Sequence, residues 1–190
     1  MDPVIRVAAI DDHPLILQGF RGWISKEPRF VYGGGFRTVA ECLVSGPQPD
    51  VVVLDVHLDD GSLPVANVRA LTQAGAVVVI VSADEEDTTV LGAIEAGAAG
   101  YLRKSADLAA LTQAVLQAVE GGQPISPELA FIMSRDRRAG RPELTDRERD
   151  VLEYFGSGLT WERVAARLGM KHQTVKVHLR NIRAKYRRLS

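Results

Sequence analysis

Val51-Val52-Val53-Leu54-Asp55 is a run of four aliphatic residues closed by a carboxylate. A run with no polar alternation reads as a strand buried on both faces, as parallel strands covered by helices are. Ile5-Arg6-Val7-Ala8-Ala9-Ile10 and Ala76-Val77-Val78-Val79-Ile80-Val81-Ser82 are nearly as continuous, and shorter β-rich stretches fall at residues 31–36 and 100–102. Helical patterns fill the intervals at about residues 14–25, 38–45, 64–74, 87–96 and 107–120. In the last of these Leu108, Leu111, Val115, Ala118 and Val119 recur at helical spacing, and Gly121-Gly122-Gln123-Pro124 breaks the pattern. Five βα units predict an α/β domain built on a five-stranded, doubly wound parallel sheet. Its expected order is 2-1-3-4-5, with ligand chemistry at the carboxyl ends of the strands.

Beyond residue 121 the pattern changes. Ser126-Pro127-Glu128 opens a short helix through about Met133, and residues 135–142 are charged and poor in apolar side chains, as a linker is. Thr145-x-x-Glu148 is a capping box opening a helix to about Phe155, and two more helices follow. The expected division is a first domain over 1–121, a linker with a short helix over 122–142, and an all-α domain over 143–190.

Charge divides at the same place. Residues 1–125 hold 16 acidic and 8 basic side chains, a balance of −8, whereas residues 126–190 hold 8 and 15, a balance of +7. Within 159–190 nine basic residues face one acid, Glu162. Two modules with different partners are expected, the second suited to a polyanion. The longest apolar run, Ala76 to Val81, is far short of a membrane span, and Met1-Asp2-Pro3 lacks the features of a secretory signal. A cytoplasmic protein without membrane contact is therefore expected. The single cysteine, Cys42, lies among apolar helix residues and reads as a core residue.

Asp11 and Asp12 directly follow the first strand and Asp55 closes the third. With strands one and three adjacent, three carboxylates crowd one sheet edge. Singly, Asp12 and Asp55 could each serve only to cap a helix or a turn. Together they resist joint ionisation unless a cation relieves them, and hard oxygen ligands with open positions suit Mg2+. Ser82 ends strand four and Lys104 follows strand five, placing a hydroxyl and an ammonium at the same edge. Asp55 is then a nucleophile for phosphoryl transfer, with the lysine and the metal neutralising charge.

A helix from about Thr160 buries Val164, Ala165 and Leu168 and ends at Gly169, which can take the left-handed turn conformation. In the next helix Val175, Leu179, Ile182 and Tyr186 form a narrow apolar stripe, and Lys176, Arg180, Arg183 and Arg187 repeat the same spacing as a basic ridge. A basic ridge braced from behind fits a DNA major groove, and the pattern is that of a helix-turn-helix. An ordinary solvent-facing helix would mix charge signs; this one does not.

Ile10-Asp11-Asp12-His13-Pro14, Val53-Leu54-Asp55, Val81-Ser82-Ala83 and Gly100-Tyr101-Leu102-Arg103-Lys104-Ser105 resemble the flavodoxin-like receiver domain of response regulators over about residues 4–120. The resemblance implies Asp55 as phosphoacceptor and Asp11, Asp12, Asp55 and the His57 backbone carbonyl as Mg2+ ligands. It implies Ser82, Tyr101 and Lys104 as the switch residues, a cognate histidine kinase as partner, and His57 and Asp84 as neighbours that tune phosphate loss. The alternatives are a DNA-binding regulator whose receiver works without phosphorylation, against which the intact set of Asp11, Asp12, Asp55, Ser82 and Lys104 argues, and a phosphoaspartate hydrolase, which would need an acid where His57 stands. Asp59-Asp60-Gly61 replaces a proline that many receivers carry; Asp-Gly still suits a turn.

Leu144-Thr145-Asp146-Arg147-Glu148, Gly158-Leu159-Thr160, Ala165-Ala166-Arg167-Leu168-Gly169 and Thr174-Val175-Lys176-Val177-His178-Leu179 resemble the LuxR-type domain of NarL/FixJ regulators. That resemblance implies double-stranded promoter DNA as partner and a homodimer as the active form. Base contacts would come from Lys176, Val177 and Arg180, with Thr160, Thr174 and Lys185 on phosphates and Arg183 adding to the basic ridge. Lys171 replaces the usual capping serine and could reach a phosphate, and Trp161 stands where the family has a polar residue. The family's fourth helix, used in dimerisation, would lie beyond Ser190.

Overall fold

The structure is a computed structural model that describes residues 4–83, 86–121 and 125–189. By its contacts the chain divides into two compact units, Met1–Gly122 and Gln123–Ser190. The break at Gly122-Gln123-Pro124, the residues Met1-Asp2-Pro3, Asp84 and Ser190 lie outside the described residues.

The first unit contains β1 (Ile5–Ile10), α1 (Pro14–Ile24), β2 (Phe30–Phe36), α2 (Val39–Val44), β3 (Val51–Asp55), α3 (Pro64–Gln73), β4 (Val77–Ser82), α4 (Asp87–Glu95), β5 (Gly100–Arg103) and α5 (Leu108–Val119). The strands form one sheet in the order β2-β1-β3-β4-β5, every pair parallel. All five residues of β3 are buried, which is why its sequence carries no polar alternation. Ile5, Val7, Ala9, Val51, Val53, Val79 and Leu102 pack against Phe20, Trp23 and Ile24 of α1 and Ala114, Val115 and Ala118 of α5. Because strand side chains alternate, Ala8, Ile10, Val52, Leu54, Val78 and Ile80 turn to the opposite face, and all six are buried.

Element ends differ from the sequence reading by one or two residues. Thr38 and Asp107, read as helical, are caps: their side chains accept from the backbone N–H groups of Glu41 at 3.1 Å and Ala110 at 2.7 Å. In β2 the register with β1 slips between Val7 and Ala8, which pair with Tyr32 and Gly34 and leave Gly33 over as a bulge. Gly34 has φ +126°, and a Cβ there would fall 2.4 Å from the Phe36 ring, so only glycine suits this edge strand.

The second unit contains α6 (Pro127–Ser134), α7 (Asp146–Gly156), α8 (Trp161–Leu168) and α9 (His172–Arg187). The capping box forms as expected: Glu148 N–H donates to Thr145 Oγ1 at 3.3 Å, and Thr145 N–H donates to Glu148 Oε2 at 2.7 Å. Gly169 ends α8 in the left-handed region at φ +63°. Helix α6 lies directly on α7; a Cβ at Gly156 would stand 2.7 Å from the Phe131 backbone nitrogen.

The stretch expected as a linker is part of this unit. Leu129, Ala130, Ile132 and Met133 of α6 are buried, and so is Asp136 in the charged run beyond it. The Asp136 carboxylate accepts from Arg138 Nε at 3.0 Å, from Arg138 Nη2 at 2.9 Å and from the Tyr186 hydroxyl at 3.2 Å. Charge density suggested solvent, but a carboxylate neutralised by its own neighbour and hydrogen-bonded on both oxygens can be buried.

These bonds carry a pH dependence. Burial pushes the Asp136 carboxyl upward, but the Arg138 and Tyr186 bonds outweigh it and hold it below the ordinary carboxylate value. Burial likewise opposes ionisation of Glu148, and Lys185 and Thr145 outweigh it. A depressed folded-state value stabilises the fold above the unfolded value, and that contribution is lost as pH falls through the folded one. The second unit is therefore expected to lose stability below about pH 4. Asp136→Asn should lower stability at neutral pH by about 1–3 kcal/mol and flatten the acid limb in denaturant titrations.

Candidate functional site

The parallel sheet brings its carboxyl ends to one edge, and five predicted residues meet there. Asp11 and Asp12 follow β1, Asp55 ends β3, Ser82 ends β4 and Lys104 follows β5. Lys104 Nζ lies 2.6 Å from Asp55 Oδ2 and 2.8 Å from Asp11 Oδ2, bridging two strand ends. Its backbone is fixed too, because Lys104 N–H donates to the Ser82 carbonyl at 2.6 Å. Asp11 and Asp55 are buried. Asp55 Oδ1 accepts the His57 backbone N–H at 3.3 Å, and Asp12 Oδ2 accepts that of Asp59 at 3.3 Å.

Burial raises the Asp55 carboxyl above its ordinary value, with the Asp11 charge adding to the rise and the Lys104 bond opposing it. Burial works the other way on Lys104, but the bonds to Asp11 and Asp55 outweigh it and the ammonium is held charged more firmly than usual. Three carboxylates against one lysine leave the edge negative.

The sequence reading missed His13. Its Nδ1 stands 3.1 Å from Asp11 Oδ1 and 2.8 Å from Asp12 Oδ1, and its backbone N–H donates to Asp11 Oδ1 at 2.9 Å. The Asp11 bond and the two nearby negative charges raise this imidazole above its ordinary value. Position alone, directly after two aspartates, was the available signal.

The donor set fits a hard divalent cation. One ligand atom from each of Asp11, Asp12, His13 and Asp55 falls within 4.8 Å of the others. Among the described residues Asp11 Oδ2 and Asp12 Oδ1 are buried without an aligned hydrogen-bond donor, although Lys104 and His13 approach them at ion-pair distance. The His57 imidazole is outside this cluster. The Ser82 hydroxyl is fully buried and has no hydrogen-bond partner among the described residues, and Tyr101 is buried on β5 opposite Ile80. The Asp59-Asp60-Gly61 turn forms, with Gly61 at φ +75° and Asp60 Oδ1 accepting from the Ser62 N–H at 2.9 Å. Asp84 lies outside the described residues.

In the second unit α9 buries Val175, Leu179, Ile182 and Tyr186 and exposes Thr174, Lys176, Val177 and Arg180. Thr160 caps α8, accepting from Arg163 N–H at 3.4 Å, and stays exposed. Lys171 precedes α9 with no side-chain cap bond, as a lysine there implies. Lys176 Nζ stands 4.4 Å from the centroid of the Trp161 ring.

Two expected DNA contacts need correction. Arg183 is completely buried, and desolvation, with the Arg187 charge adding, brings it down to about 9. The reason is rotational. At about 100° per residue Arg183 lies roughly 70° from the middle of the apolar stripe, nearer than Lys176 or Arg180, so burying the stripe takes it inside. Lys185 lies on the stripe's other flank, where its ammonium is 2.7 Å from Glu148 Oε2 and 3.0 Å from the Glu143 carbonyl. It ties α9 to the start of α7.

Comparison with known proteins matches both units. The response regulator receiver domain matches residues 7–116, and the luxR family of bacterial regulatory proteins matches residues 142–187. The nitrate/nitrite response regulator protein NarP of Escherichia coli (strain K12) is 31% identical over 186 residues, covering 93% of this chain and 86% of that protein. The transcriptional regulatory protein UhpA of Salmonella typhimurium is 31% identical over 184 residues, covering 94% and 90%. The crystal structure of the response regulator ChrA of a heme-sensing two-component system is similar with a TM-score of 0.59 and 32% identity, covering 98% of this chain and 96% of that one.

A cation at the acidic edge is expected to depend on Asp11. In calorimetric titrations with Mg2+, Asp11→Asn should weaken binding by at least about tenfold, whereas Asp60→Asn, in the neighbouring loop, should change it little.

Proposed function

This chain belongs to the response regulators that join a receiver domain to a LuxR-type DNA-binding region, and from that premise we propose that phosphorylation of Asp55 controls its use of promoter DNA. The chain is a transcription regulator rather than an enzyme. The observation that carries the proposal is the Lys104 ammonium held between Asp55 and Asp11 at 2.6 and 2.8 Å. A buried carboxylate with a cation poised on it suits a nucleophile whose product is a dianion.

In this reading the phosphodonor is the phosphohistidine of a cognate kinase. An Asp55 oxygen attacks the phosphorus, and the histidine nitrogen leaves. Mg2+, held by Asp11, Asp12, Asp55 and the His57 backbone carbonyl, would supply neutralisation of the phosphoryl charge. Lys104 follows the charge from the Asp55 carboxylate to a phosphoryl oxygen. The Ser82 hydroxyl, buried and without an acceptor among the described residues, gains one in the same phosphoryl group, which gives Ser82 a reason to move, with Tyr101 on the neighbouring strand following it. A donor left unmade in the resting state and satisfied in the modified one is a two-state element.

The output is read through α9. Lys176 and Arg180 carry donors suited to guanine acceptors, Val177 offers an apolar contact to a thymine methyl, and Thr160, Lys171 and Thr174 stand ready for phosphates. The active form is inferred to be a homodimer reading two half-sites, as helix-turn-helix proteins commonly do. The cytoplasm, where promoter DNA lies, is the compartment this reading requires. No helix among the described residues is long and apolar enough to cross a membrane.

Incubation with Mg2+ and acetyl phosphate, followed by intact mass, should show one phosphoryl addition in the wild type and none in Asp55→Asn; an equal addition to both would remove Asp55 as acceptor. On a duplex selected by the wild-type protein, Lys176→Ala should cost about 1–3 kcal/mol of binding and leave affinity for random duplex largely intact. Normal binding by that variant would take Lys176 out of the base-reading set.

A further inference from the structure

Lys176, the first exposed cation within α9, does not project freely into solvent. Its ammonium lies over the face of Trp161, 4.4 Å from the ring centroid. Trp161 is the first residue of α8 and is half-buried, with Phe155 of α7 behind it at 6.3 Å between centroids and planes tilted by 38°. Phe155 is itself buried. The stack therefore takes one layer from each of α7, α8 and α9, and its innermost layer is anchored in the core.

The ring accounts for the placement better than the alternatives near it. The amino end of α8 carries partial positive charge, which disfavours a cation there. Glu162, the neighbouring acid, is fully exposed; its carboxyl is held below its ordinary value first by its own backbone N–H and the Thr160 hydroxyl, with the charges of His172 and Lys176 contributing less. Among the described residues the aromatic face is the contact that the structure gives this ammonium. Tryptophan is the side chain whose face attracts a cation most strongly.

A lysine has a flexible stem and loses much rotamer freedom when it is fixed on a base. A stem already directed by a ring loses less. We propose that Trp161 is a positioning residue for DNA recognition: its ring holds the Lys176 ammonium in one direction before DNA arrives, so that α9 meets the groove with this donor already ordered. The inference rests on the reading that Lys176 contacts a base. It assigns Trp161 a role in sequence preference without any contact to DNA.

The test uses the full chain and a duplex selected from a random-sequence pool by the wild-type protein. Trp161→Leu keeps an apolar side chain on Phe155 but removes the ring face; it should bind the selected duplex about three- to fivefold more weakly and bind random duplex unchanged. Trp161→Phe should recover part of that loss. On a Lys176→Ala background, Trp161→Leu should change nothing further, because the residue it positions is gone. In the free protein, NMR should find the ε-methylene protons of Lys176 moved upfield by the indole ring current, and Trp161→Leu should return them to ordinary positions.

Two results would overturn the proposal: an equal loss from Trp161→Leu with or without Lys176, which would make Trp161 only a packing residue, or unshifted Lys176 protons in the wild type. Wild-type affinity in Lys176→Ala alone would remove the base-reading premise instead. The proton shifts, measured without DNA, tell that failure from a failure of the stack.

Discussion

Like charges at the end of a parallel sheet set the problem that the first unit solves. Asp11 and Asp55 are both buried, and no strand arrangement with β1 beside β3 can keep them apart. The Lys104 ammonium lets them coexist, because it reaches both from the end of β5 across the intervening β4. Much else follows from that span. The sheet order must put β3 and β4 between β1 and β5, and Lys104 must follow β5 at once, its N–H on the Ser82 carbonyl. One lysine among three carboxylates leaves the edge suited to a second cation, which is what the proposed phosphorylation switch would require of it.

The second unit handles charge differently, by pairing it within the protein. Glu148 caps α7 and also receives Lys185 from α9, so one side chain fixes a helix start and a helix crossing. Asp136 receives Arg138 and the hydroxyl of Tyr186, which joins the segment after α6 to the far end of α9. Helix α9 is thus tied down along its inner flank, by Lys185 to α7 and by Tyr186 to the segment after α6, while its opposite side keeps Lys176 and Arg180 exposed. A helix that must enter a groove as a rigid body needs bracing of this kind, and few residues are spent on it.

Strand ends were legible in the sequence because they require no angular precision. A carboxylate or hydroxyl that closes an apolar run lies at the sheet edge whatever its rotamer, and Asp11, Asp12, Asp55, Ser82 and Lys104 were all found that way. Helix faces were less legible. Lys176, Arg180, Arg183 and Arg187 share one spacing, yet the stripe they flank is narrow, and a small rotation decides that Arg183 is buried and Lys176 is not. The charged run after α6 misled for a related reason: composition cannot show that Asp136 and Arg138 satisfy each other. For His13 the sequence offers only its place after two aspartates, and for the partnership of Trp161 with Lys176 it offers nothing, because each contact depends on a side-chain direction.

The two oxygens of Asp55 bear on the proposed chemistry. Oδ2 is held by Lys104 at 2.6 Å, while among the described residues Oδ1 takes a long bond, 3.3 Å, from the His57 backbone N–H. A charge-assisted bond draws electron density from its acceptor more strongly than a long neutral one does. In the proposed reaction Oδ1 would therefore be the better nucleophile, and attack through it would leave Lys104 within reach of the phosphoryl group without first breaking its bond. Attack through Oδ2 would require the lysine to leave before the charge it neutralises has formed. In the proposed chemistry the geometry favours the first course, and the second contact, to Asp11, would keep the ammonium close by while the Asp55 carboxylate becomes an acyl phosphate.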